Sequence, residues 1–327
     1  MRLLKYEDIC LIPKMGACKS RSECDTSIKF LGSKFRLPVM PSNMRAVIDF
    51  DHAKHLSAEG YFYSMHRFDI DVQKFIEDAN RGNWKIISAS LGVKPSDRSV
   101  ISNLKASQAR LDFLTIDIAH GHSESMKEML KFCKKNLTKK TKIIAGNVAT
   151  PEAVQDLYLW GADAVKVGIG QGSPCTTKDK TGFTIPMFSC TQSCSKVYAG
   201  DSFDEGPPPE RVPIIADGGI RCNGDIAKAF AAGADFVMAG GLFASCVDSP
   251  AASIEIDGVL HKAYFGSASF ENKKTNRHVE GKLQNITSSG MTFKQKLIEI
   301  EEDIQSSISY AGGLSINSLK DTSYEVV

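Results

Sequence analysis

Features that would direct a chain to a membrane, a secretory route or a nucleic acid are missing from this sequence. No apolar run reaches the roughly 18 residues of a membrane-spanning helix, and the chain does not open with a basic segment followed by an apolar one. The formal net charge is only +2, which gives no argument for a nucleic-acid partner. Nine cysteines, an odd number without a CxxC pair, indicate reduced thiols. We therefore expect a cytoplasmic protein without a membrane or nucleic-acid partner.

What the chain does contain is a regular alternation of short apolar runs and helical patterns. The apolar runs lie at residues 37–40, 61–65, 85–89, 113–118, 142–145, 164–167, 212–216 and 236–239. Amphipathic patterns separate most of them, as at 151–160, where Thr150 and Pro151 are typical of a helix start. Apolar runs without polar alternation predict buried parallel strands. Eight such units in about 250 residues predict an α/β fold, a (β/α)8 TIM barrel, as the single domain of residues 1–327.

An internal repeat supports this count of strands. Ile143-Ile144-Ala145-Gly146 leads through a helical pattern to Gly161-Ala162-Asp163, and Ile214-Ile215-Ala216-Asp217-Gly218 leads likewise to Gly233-Ala234-Asp235. In each copy the glycine before Ala-Asp is typical of a residue that ends a helix. A doubly wound sheet could contain the same unit, but the repeat favours a closed barrel.

Two stretches interrupt the alternation. Residues 178–211 lengthen the connection after the sixth strand and include a predicted surface loop at 204–209. Residues 248–292 follow the eighth strand and are polar and irregular, which is typical of an active-site lid. A final amphipathic helix is predicted at 293–310.

The sixth strand leads into a glycine-rich loop with one cysteine. Gly168, Gly170 and Gly172 alternate along it, and Cys175 follows, two residues before Thr177. A cysteine on a loop beyond a strand suits an exposed nucleophile, and glycines allow close approach to a ligand. A flexible turn with an incidental thiol remains an alternative, because short glycine motifs often occur by chance.

Glycine pairs also follow the seventh and eighth strands, where barrels commonly bind phosphate. Asp217-Gly218-Gly219 and Gly240-Gly241 would offer backbone N–H groups to an anion, and Asp217 suits ribose hydroxyls. The pattern predicts a nucleotide or sugar phosphate, with a tight turn as the alternative. Thr177 would need a stronger acid or base, and Glu271 and Glu280 are candidates, although Glu280 also suits an ordinary surface carboxylate.

Several motifs together resemble the IMP dehydrogenase and GMP reductase superfamily, over essentially the whole chain. The resemblance is carried by the loop at 168–177, Pro41-Ser42-Asn43-Met44, Asp217-Gly218-Gly219, Ala239-Gly240-Gly241, Ser20-Arg21-Ser22-Glu23, Ile116-Asp117-Ile118-Ala119-His120-Gly121, Ala145-Gly146-Asn147-Val148 and Ser309-Tyr310-Ala311-Gly312-Gly313.

Two absences favour the reductase branch of this superfamily. Fewer than twenty residues separate Arg67 from the third strand at Lys85, which leaves no room for the CBS insertion usual in the dehydrogenases. Their Arg-Tyr lid pair is also missing between Ser269 and Glu280, whereas residues 277–282 are similar to the reductase lid. A dehydrogenase without CBS domain is the alternative. A flavin-dependent barrel oxidoreductase and a catalytically inactive nucleotide-binding sensor are others, but neither needs Cys175 and Thr177 together.

The resemblance implies a reductive deamination, in which GMP and NADPH give IMP, ammonia and NADP⁺. The Cys175 thiolate would add to C2 of the purine, and Thr177 with Glu280 would help ammonia to leave. A covalent thioimidate would then accept a hydride at C2. Such a covalent intermediate divides a difficult step into two easier ones.

The resemblance also assigns binding residues. It implies nucleotide contacts from Ser173, Asp217, Gly218, Gly219, Gly240, Gly241, Gly266, Ser267, Ala268, Arg277, His278, Val279, Glu280 and Gly281. It implies NADPH contacts from Arg67, Asp117, Ile118, Ala119, Ile169 and Gly170, and, from a neighbouring subunit of a homotetramer, from Ser20, Arg21, Asn276, Arg277, Ser306, Ser307, Ile308 and Ser309. It implies a K⁺ ion on the carbonyls of Gly170, Gly172 and Cys175; carbonyl cages suit such ions.

A few positions depart from the superfamily pattern. Gln171 stands where proline is usual, which predicts a looser cation site, and Thr184-Ile185 replaces glycine and an aromatic. Arg67 stands where lysine is commoner. Arg21, Arg67 and Arg277 could each meet a 2′-phosphate, which favours NADPH over NADH.

Overall fold

The computed structural model describes residues 2–199, 210–275 and 277–327. The strands are β1 Ile9–Leu11, β2 Ile28–Phe30, β3 Ser33–Phe35, β4 Val39–Pro41, β5 Ser88–Leu91, β6 Phe113–Asp117, β7 Lys142–Val148, β8 Ala164–Val167, β9 Ile214–Asp217, β10 Phe236–Ala239, β11 Ser253–Ile256, β12 Val259–Phe265, β13 Leu283–Thr287 and β14 Tyr324–Val326. The α-helices are α1 Phe50–Glu59, α2 Val72–Arg81, α3 Pro95–Ser107, α4 Glu124–Asn136, α5 Pro151–Trp160, α6 Thr177–Thr181, α7 Met187–Cys194, α8 Asn223–Ala231, α9 Gly241–Ala244, α10 Phe270–Lys273 and α11 Phe293–Tyr310. Among the described residues, no helix combines the length and apolar character that a bilayer crossing requires.

Seven parallel strands form the central sheet, in the order β4-β10-β9-β8-β7-β6-β5. The first strand β4 pairs with the last strand β10, so the sheet curls toward closure, and the helices lie between successive strands. The predicted (β/α)8 barrel is therefore confirmed. β8, β10, α5 and α11 have the bounds predicted from the sequence.

The predicted second strand at 61–65 differs from expectation, because it enters the sheet only through one parallel bridge between Met65 and Ala89. Its neighbour β5 also begins later than predicted, at Ser88. The backbone of Ile86 bonds to side chains instead of a strand, since its carbonyl accepts from Ser57 and Tyr63 and its amide donates to Ser57. Side-chain partners for the backbone thus shorten the sheet here.

The internal repeat has a second physical basis besides its glycines. Gly161 and Gly233 have positive φ angles of 117° and 99° after α5 and α8. The Asp163 carboxylate accepts from the amide of Ile143 at 2.7 Å, and that of Asp235 accepts from Ile214 at 2.9 Å. Each aspartate therefore anchors the start of the preceding strand, which sets neighbouring strands in register.

A hairpin of β2 and β3 closes one end of the barrel. Phe35 contacts Phe62, Phe113 and Phe236, with ring centroids 4.8, 5.9 and 5.8 Å away, and Phe30 contacts Phe236 at 5.2 Å. Phe113 and Phe236 are the first residues of β6 and β10. The aromatic plug therefore fills the amino-terminal end of the barrel and leaves the carboxyl-terminal end for a ligand.

The two predicted interruptions carry secondary structure of their own. Residues 178–211 contain most of α6 and all of α7, whose buried Met187, Phe188, Cys190 and Cys194 make α7 the barrel helix between β8 and β9. The predicted surface loop at 204–209 lies outside the described residues. Residues 248–292 contain α10 and the antiparallel sheet β11-β12-β13. A buried ammonium, that of Lys262, ties this sheet to the barrel by donating to three oxygens, those of Val247, Ser249 and Ser253.

Candidate active site

A cavity of about 1070 Å³ opens at the carboxyl-terminal end of the barrel. Asp117 ends β6, Asp217 ends β9, and Gly168 and Gly240 follow β8 and β10 directly. All four line the cavity. Because the strands are parallel, the loops that follow them meet at one face.

The loop between β8 and α6, residues 168–176, is held by backbone pairing with the far side of the 248–292 segment. Cys175 forms an antiparallel bridge with Gly281. The amide of Thr176 donates to the carbonyl of Glu280 at 2.8 Å, and the amide of Lys282 donates to the carbonyl of Pro174 at 2.9 Å. This pairing delivers the Glu280 side chain to the loop that carries the cysteine.

Cys175, Thr177 and Glu280 form a continuous hydrogen-bonded chain. The Cys175 thiol donates to Thr177 Oγ1 at 3.3 Å, and Thr177 Oγ1 donates to Glu280 Oε2 at 2.6 Å. A thiol proton can therefore pass through one hydroxyl to a carboxylate, which is the arrangement that activates a nucleophile. Glu271, the other candidate carboxylate, does not line the cavity.

A buried lysine lies beneath the cavity, and the sequence analysis did not select it. The Lys166 ammonium, on β8, is 2.8 Å from Asp117 Oδ1 and 2.9 Å from Asp217 Oδ2. Burial alone would lower the pKa of Lys166, but the two carboxylates outweigh it and raise that pKa. Burial is the largest single influence on Asp117 and would raise its pKa, yet the charges of Lys166 and Arg67 and the hydrogen bonds from Lys166 and Asn43 together outweigh it and lower that pKa. The sequence contains one signal that could have identified this residue, a lysine within the otherwise apolar run Ala164-Val165-Lys166-Val167.

Two asparagines complete the binding of these carboxylates. Asn43 Nδ2 donates to Asp117 Oδ2 at 3.2 Å, and Asn147 Nδ2 donates to Asp217 Oδ2 at 2.9 Å. Asn147 Oδ1 is buried without a partner among the described residues, and Asn147 lines the cavity. Both asparagines occur in the motifs that carried the family resemblance, but they were not selected as site residues.

The glycines after β9 and β10 shape the opposite part of the cavity. Gly218 and Gly219 have φ angles of 113° and 76°, which L side chains rarely adopt. Gly240 is needed for a close approach, because a Cβ there would lie 2.1 Å from Tyr264 Oη. Tyr264 lines the cavity, and burial raises the pKa of its hydroxyl, so it stays a neutral hydrogen-bond donor. The sequence analysis missed this tyrosine.

The structure brings most of the sequence-selected residues to this cavity. Those that line it are Arg67, Asp117, Ile118, Ala119, Ile169, Gly170, Gly172, Ser173, Cys175, Thr177, Asp217, Gly218, Gly219, Gly240, Gly241, Gly266, Ser267, Ala268 and Glu280. Those that do not are Ser20, Arg21, Arg277, His278, Val279, Gly281, Ser306, Ser307, Ile308 and Ser309. Asn276 lies outside the described residues.

Of the residues assigned to a neighbouring subunit, Arg21, Ser306 and Ser309 belong to one cluster outside the cavity. Arg21 donates to Ser306 Oγ at 3.2 Å and stacks on the Tyr310 ring at 5.2 Å. Cys18 donates to Ser309 Oγ at 3.2 Å beside them. Arg67, by contrast, belongs to the cavity, since it donates to the Asp117 carbonyl at 3.2 Å and stacks on Phe68.

Replacing Lys166 by methionine should destabilise the fold by about 3–5 kcal/mol at neutral pH, because two carboxylates lose their counter-charge. The lowered pKa of Asp117 stabilises the native protein above the pKa of the unfolded chain, and this stabilisation is lost as the pH falls through the folded pKa. In Lys166→Met, burial should instead raise the pKa of Asp117. The unfolding free energy that Lys166→Met loses relative to the native protein should therefore be smaller at about pH 5 than at about pH 7. Chemical denaturation measures it, with Lys166→Arg as the charge-conserving control, and an equal deficit at both pH values would contradict the ion-pair account.

Gly240→Ala should lower the melting temperature, whereas Gly241→Ala should not. A Cβ at Gly241 meets no atom within 4 Å, but a Cβ at Gly240 collides with Tyr264 Oη. Overpacking of this kind costs about 1–3 kcal/mol. Adding Tyr264→Phe to Gly240→Ala should recover part of the loss, because the 2.1 Å collision is removed while Cζ at 3.2 Å and Ser42 Oγ at 3.3 Å stay close. Thermal unfolding without nucleotide is the measurement. Equal destabilisation by the two alanines would show that the Tyr264 contact is not what requires glycine.

Comparison with known proteins places this site in a family. The family model described as IMP dehydrogenase / GMP reductase domain matches residues 3–325. A GMP reductase of Streptococcus gordonii is 47% identical, with 100% of this chain and 95% of the relative covered. A GMP reductase of Bacillus subtilis is 46% identical over 98% of this chain and 95% of the relative. One of Leptothrix cholodnii is 45% identical over 100% and 97%. This chain therefore belongs to the IMP dehydrogenase / GMP reductase family.

Proposed function

We propose that this chain is a GMP reductase, which converts GMP and NADPH into IMP, ammonia and NADP⁺. The observation that carries the proposal is the hydrogen-bonded chain from Cys175 through Thr177 to Glu280, at the mouth of a nucleotide-sized cavity. The relatives with full-length matches are named GMP reductase, which supports the same activity.

The nucleotide would lie across the carboxyl-terminal ends of β8, β9 and β10. Asp217 suits the ribose hydroxyls, because Lys166 and Asn147 occupy one of its oxygens and leave the other free. The phosphate would be bound by backbone amides of the loops after β9 and β10, next to Gly219 and Gly241. The Tyr264 hydroxyl would donate a further hydrogen bond to it. Ser173 and residues 266–268 line the remaining wall and would contact the phosphate and base.

The chemical step begins at Cys175. Its proton passes to Thr177 and on to Glu280, and the sulfur electron pair attacks C2 of the guanine ring. Glu280 then returns a proton, through Thr177, to the exocyclic amino group, and the C2–N bond breaks to release ammonia. A thioimidate between C2 and the Cys175 sulfur remains. After hydride arrives at C2, the C2–S bond breaks, the electron pair returns to sulfur, and IMP leaves.

NADPH, when bound, would supply that hydride. Its contacts would come from Arg67, residues 117–119 and residues 169–170, which line the same cavity. Asn147 Oδ1 has no partner among the described residues, and Asn147 lines the same cavity. This oxygen would accept a hydrogen bond from the carboxamide of the nicotinamide ring. The guanidinium of Arg67 is already oriented by Asp117 and Phe68, so it is placed to meet a phosphate.

Three further parts of the proposal concern the surroundings of the site. The carbonyls of Gly170 and Cys175 accept no hydrogen bond within the described ranges, and the Gly172 carbonyl accepts one; these three oxygens would hold a K⁺ ion. The 248–292 segment would act as the lid. The Arg21 cluster and Arg277 lie outside the cavity, so they would serve the cofactor site of a neighbouring subunit, in a homotetramer.

Loss of NADPH absorbance on addition of GMP, with release of ammonia, is the expected result for the purified protein. Cys175→Ala should abolish it, because no covalent intermediate can form. Cys10→Ala should not, since that thiol is exposed on β1 outside the cavity. NADH formation from IMP and NAD⁺ would instead identify a dehydrogenase without CBS domain. Activity in neither direction would identify a nucleotide-binding protein, and full activity of Cys175→Ala would disprove the thioimidate.

Glu280→Gln should lower kcat by about 10²–10⁴-fold, because the amide accepts the Thr177 hydrogen bond but cannot take its proton. The KM for GMP should change little. Glu271→Gln is the matched control, since that lid carboxylate does not line the cavity. Steady-state kinetics measure both, and similar effects of the two variants would remove Glu280 from the proton path.

A further inference from the structure

We infer that Gln171 and Thr184 form a clasp that positions the catalytic loop, residues 168–176. Gln171 lies within this loop, and Thr184 lies beyond α6, in the segment that enters α7. The inference rests on the proposed function, because it assigns a purpose to the placement of Cys175. Thr184 does not line the cavity, so it would be a positioning residue rather than a catalytic one.

The contacts use one hydroxyl both as an acceptor and as a donor. Gln171 Nε2 donates to Thr184 Oγ1 at 2.6 Å, and Thr184 Oγ1 donates to the carbonyl of Ile169 at 2.8 Å. The hydroxyl therefore joins the side chain of one loop residue to the backbone of another, two positions earlier. A methyl group in place of the hydroxyl would break both links at once.

The clasp also reaches the nucleotide loop after β9. The Gly219 amide donates to the Gln171 carbonyl at 3.2 Å, and a Cβ at Gly218 would lie 3.3 Å from the Gln171 carbonyl carbon. Gln171 thus holds Thr184 with its side chain and Gly219 with its backbone. A change at Thr184 should consequently be felt by both the catalytic and the nucleotide loops.

The middle of the loop needs this anchor because its other attachments are at its two ends. At the near end, Asn147 Nδ2 donates to the Gly168 carbonyl at 2.8 Å, and the Gly168 amide donates to the Val148 carbonyl at 2.8 Å. Pairing with residues 280–282 holds positions 174–176. Positions 169–172 have the clasp and Gly219 instead. The Cys175 amide donates to the Gly172 carbonyl at 2.9 Å, so displacement of this part would be transmitted to the nucleophile. Small displacements of reacting groups have large effects on rate.

Both members of the clasp depart from the superfamily pattern described above. A proline at 171 would restrict the loop by its ring but has no side-chain donor, and a glycine at 184 has no side-chain hydroxyl to accept or donate. The contact between Gln171 and Thr184 therefore supplies, through side chains, an anchor that neither of the usual residues could form. Together they offset the flexibility expected from Gln171 alone.

The test is a double-mutant cycle with two readouts. Thr184→Val should lower kcat about tenfold and Gln171→Ala by up to the same factor, and the double variant should be no worse than Thr184→Val, because Thr184→Val already removes both links. The rate at which iodoacetamide alkylates Cys175, followed by peptide mass spectrometry, should shift in the same non-additive way. Thr184→Ser keeps the hydroxyl and should match the native protein. Phe183→Ala removes a neighbouring side chain that is 76% exposed and should also match it.

Multiplying effects in the double variant, or a Thr184→Val variant with native kcat and native alkylation rate, would overturn the clasp. Circular dichroism of each variant separates misfolding from misplacement, and if Thr184→Val unfolds, Gln171→Ala against Thr184→Ser carries the test, with native kcat and alkylation rate in Gln171→Ala overturning the clasp. The proposed function fails separately, if the native protein does not oxidise NADPH with GMP or if Cys175→Ala remains active. The alkylation cycle still reads the position of Cys175 in that case.

Discussion

The Lys166 ammonium lies between two buried carboxylates, and the arrangement of the whole site depends on that contact. Lys166 lies on β8, Asp117 ends β6 and Asp217 ends β9. The two ion pairs therefore connect β8 with β6 and with β9 beneath the cavity. An isolated buried charge is costly, and the Lys166 ammonium supplies a counter-charge to both carboxylates. The lysine therefore sets both the charge and the separation of the groups proposed to meet the ribose and the cofactor.

A second constraint acts on the loop that carries Cys175. Cys175 and Glu280 are brought together by a backbone bridge rather than by their side chains. Backbone hydrogen bonds place the 248–292 segment against the catalytic loop, and the 2.6 Å bond between Thr177 and Glu280 follows from that register. A shift of one residue would direct Glu280 away from Thr177, because successive side chains of an extended segment point to opposite faces. The proposed chemistry thus depends on strand pairing between distant parts of the chain.

The barrel supports these contacts by separating apolar from polar ends. The phenylalanines around Phe35 fill the amino-terminal end, whereas Asn43, Asn147 and the two aspartates lie toward the carboxyl-terminal end. The polar groups are paired with one another or face the cavity, and Asn147 Oδ1 has no partner within the part of the chain that the structure describes. A few well-placed polar groups in a largely apolar pocket are what orient a bound ligand, and this arrangement suits the proposed nucleotide.

Local signals in the sequence determined the barrel, its repeat, the bounds of β8 and α5, and the candidacy of Cys175 and of the glycine pairs. Apolar runs, helix caps and turn glycines act within a few residues, so they can be interpreted from the chain alone. Local patterns left Glu280 and Glu271 open and the family resemblance favoured Glu280, but only the tertiary structure shows the contact of Glu280 with Thr177, and only it identified Lys166 and Tyr264. Thr177 and Glu280 are 103 residues apart, and Lys166 is 51 residues from Asp217. Their meeting depends on how the sheet curls and which segments pair, and no local pattern of residues encodes those distances.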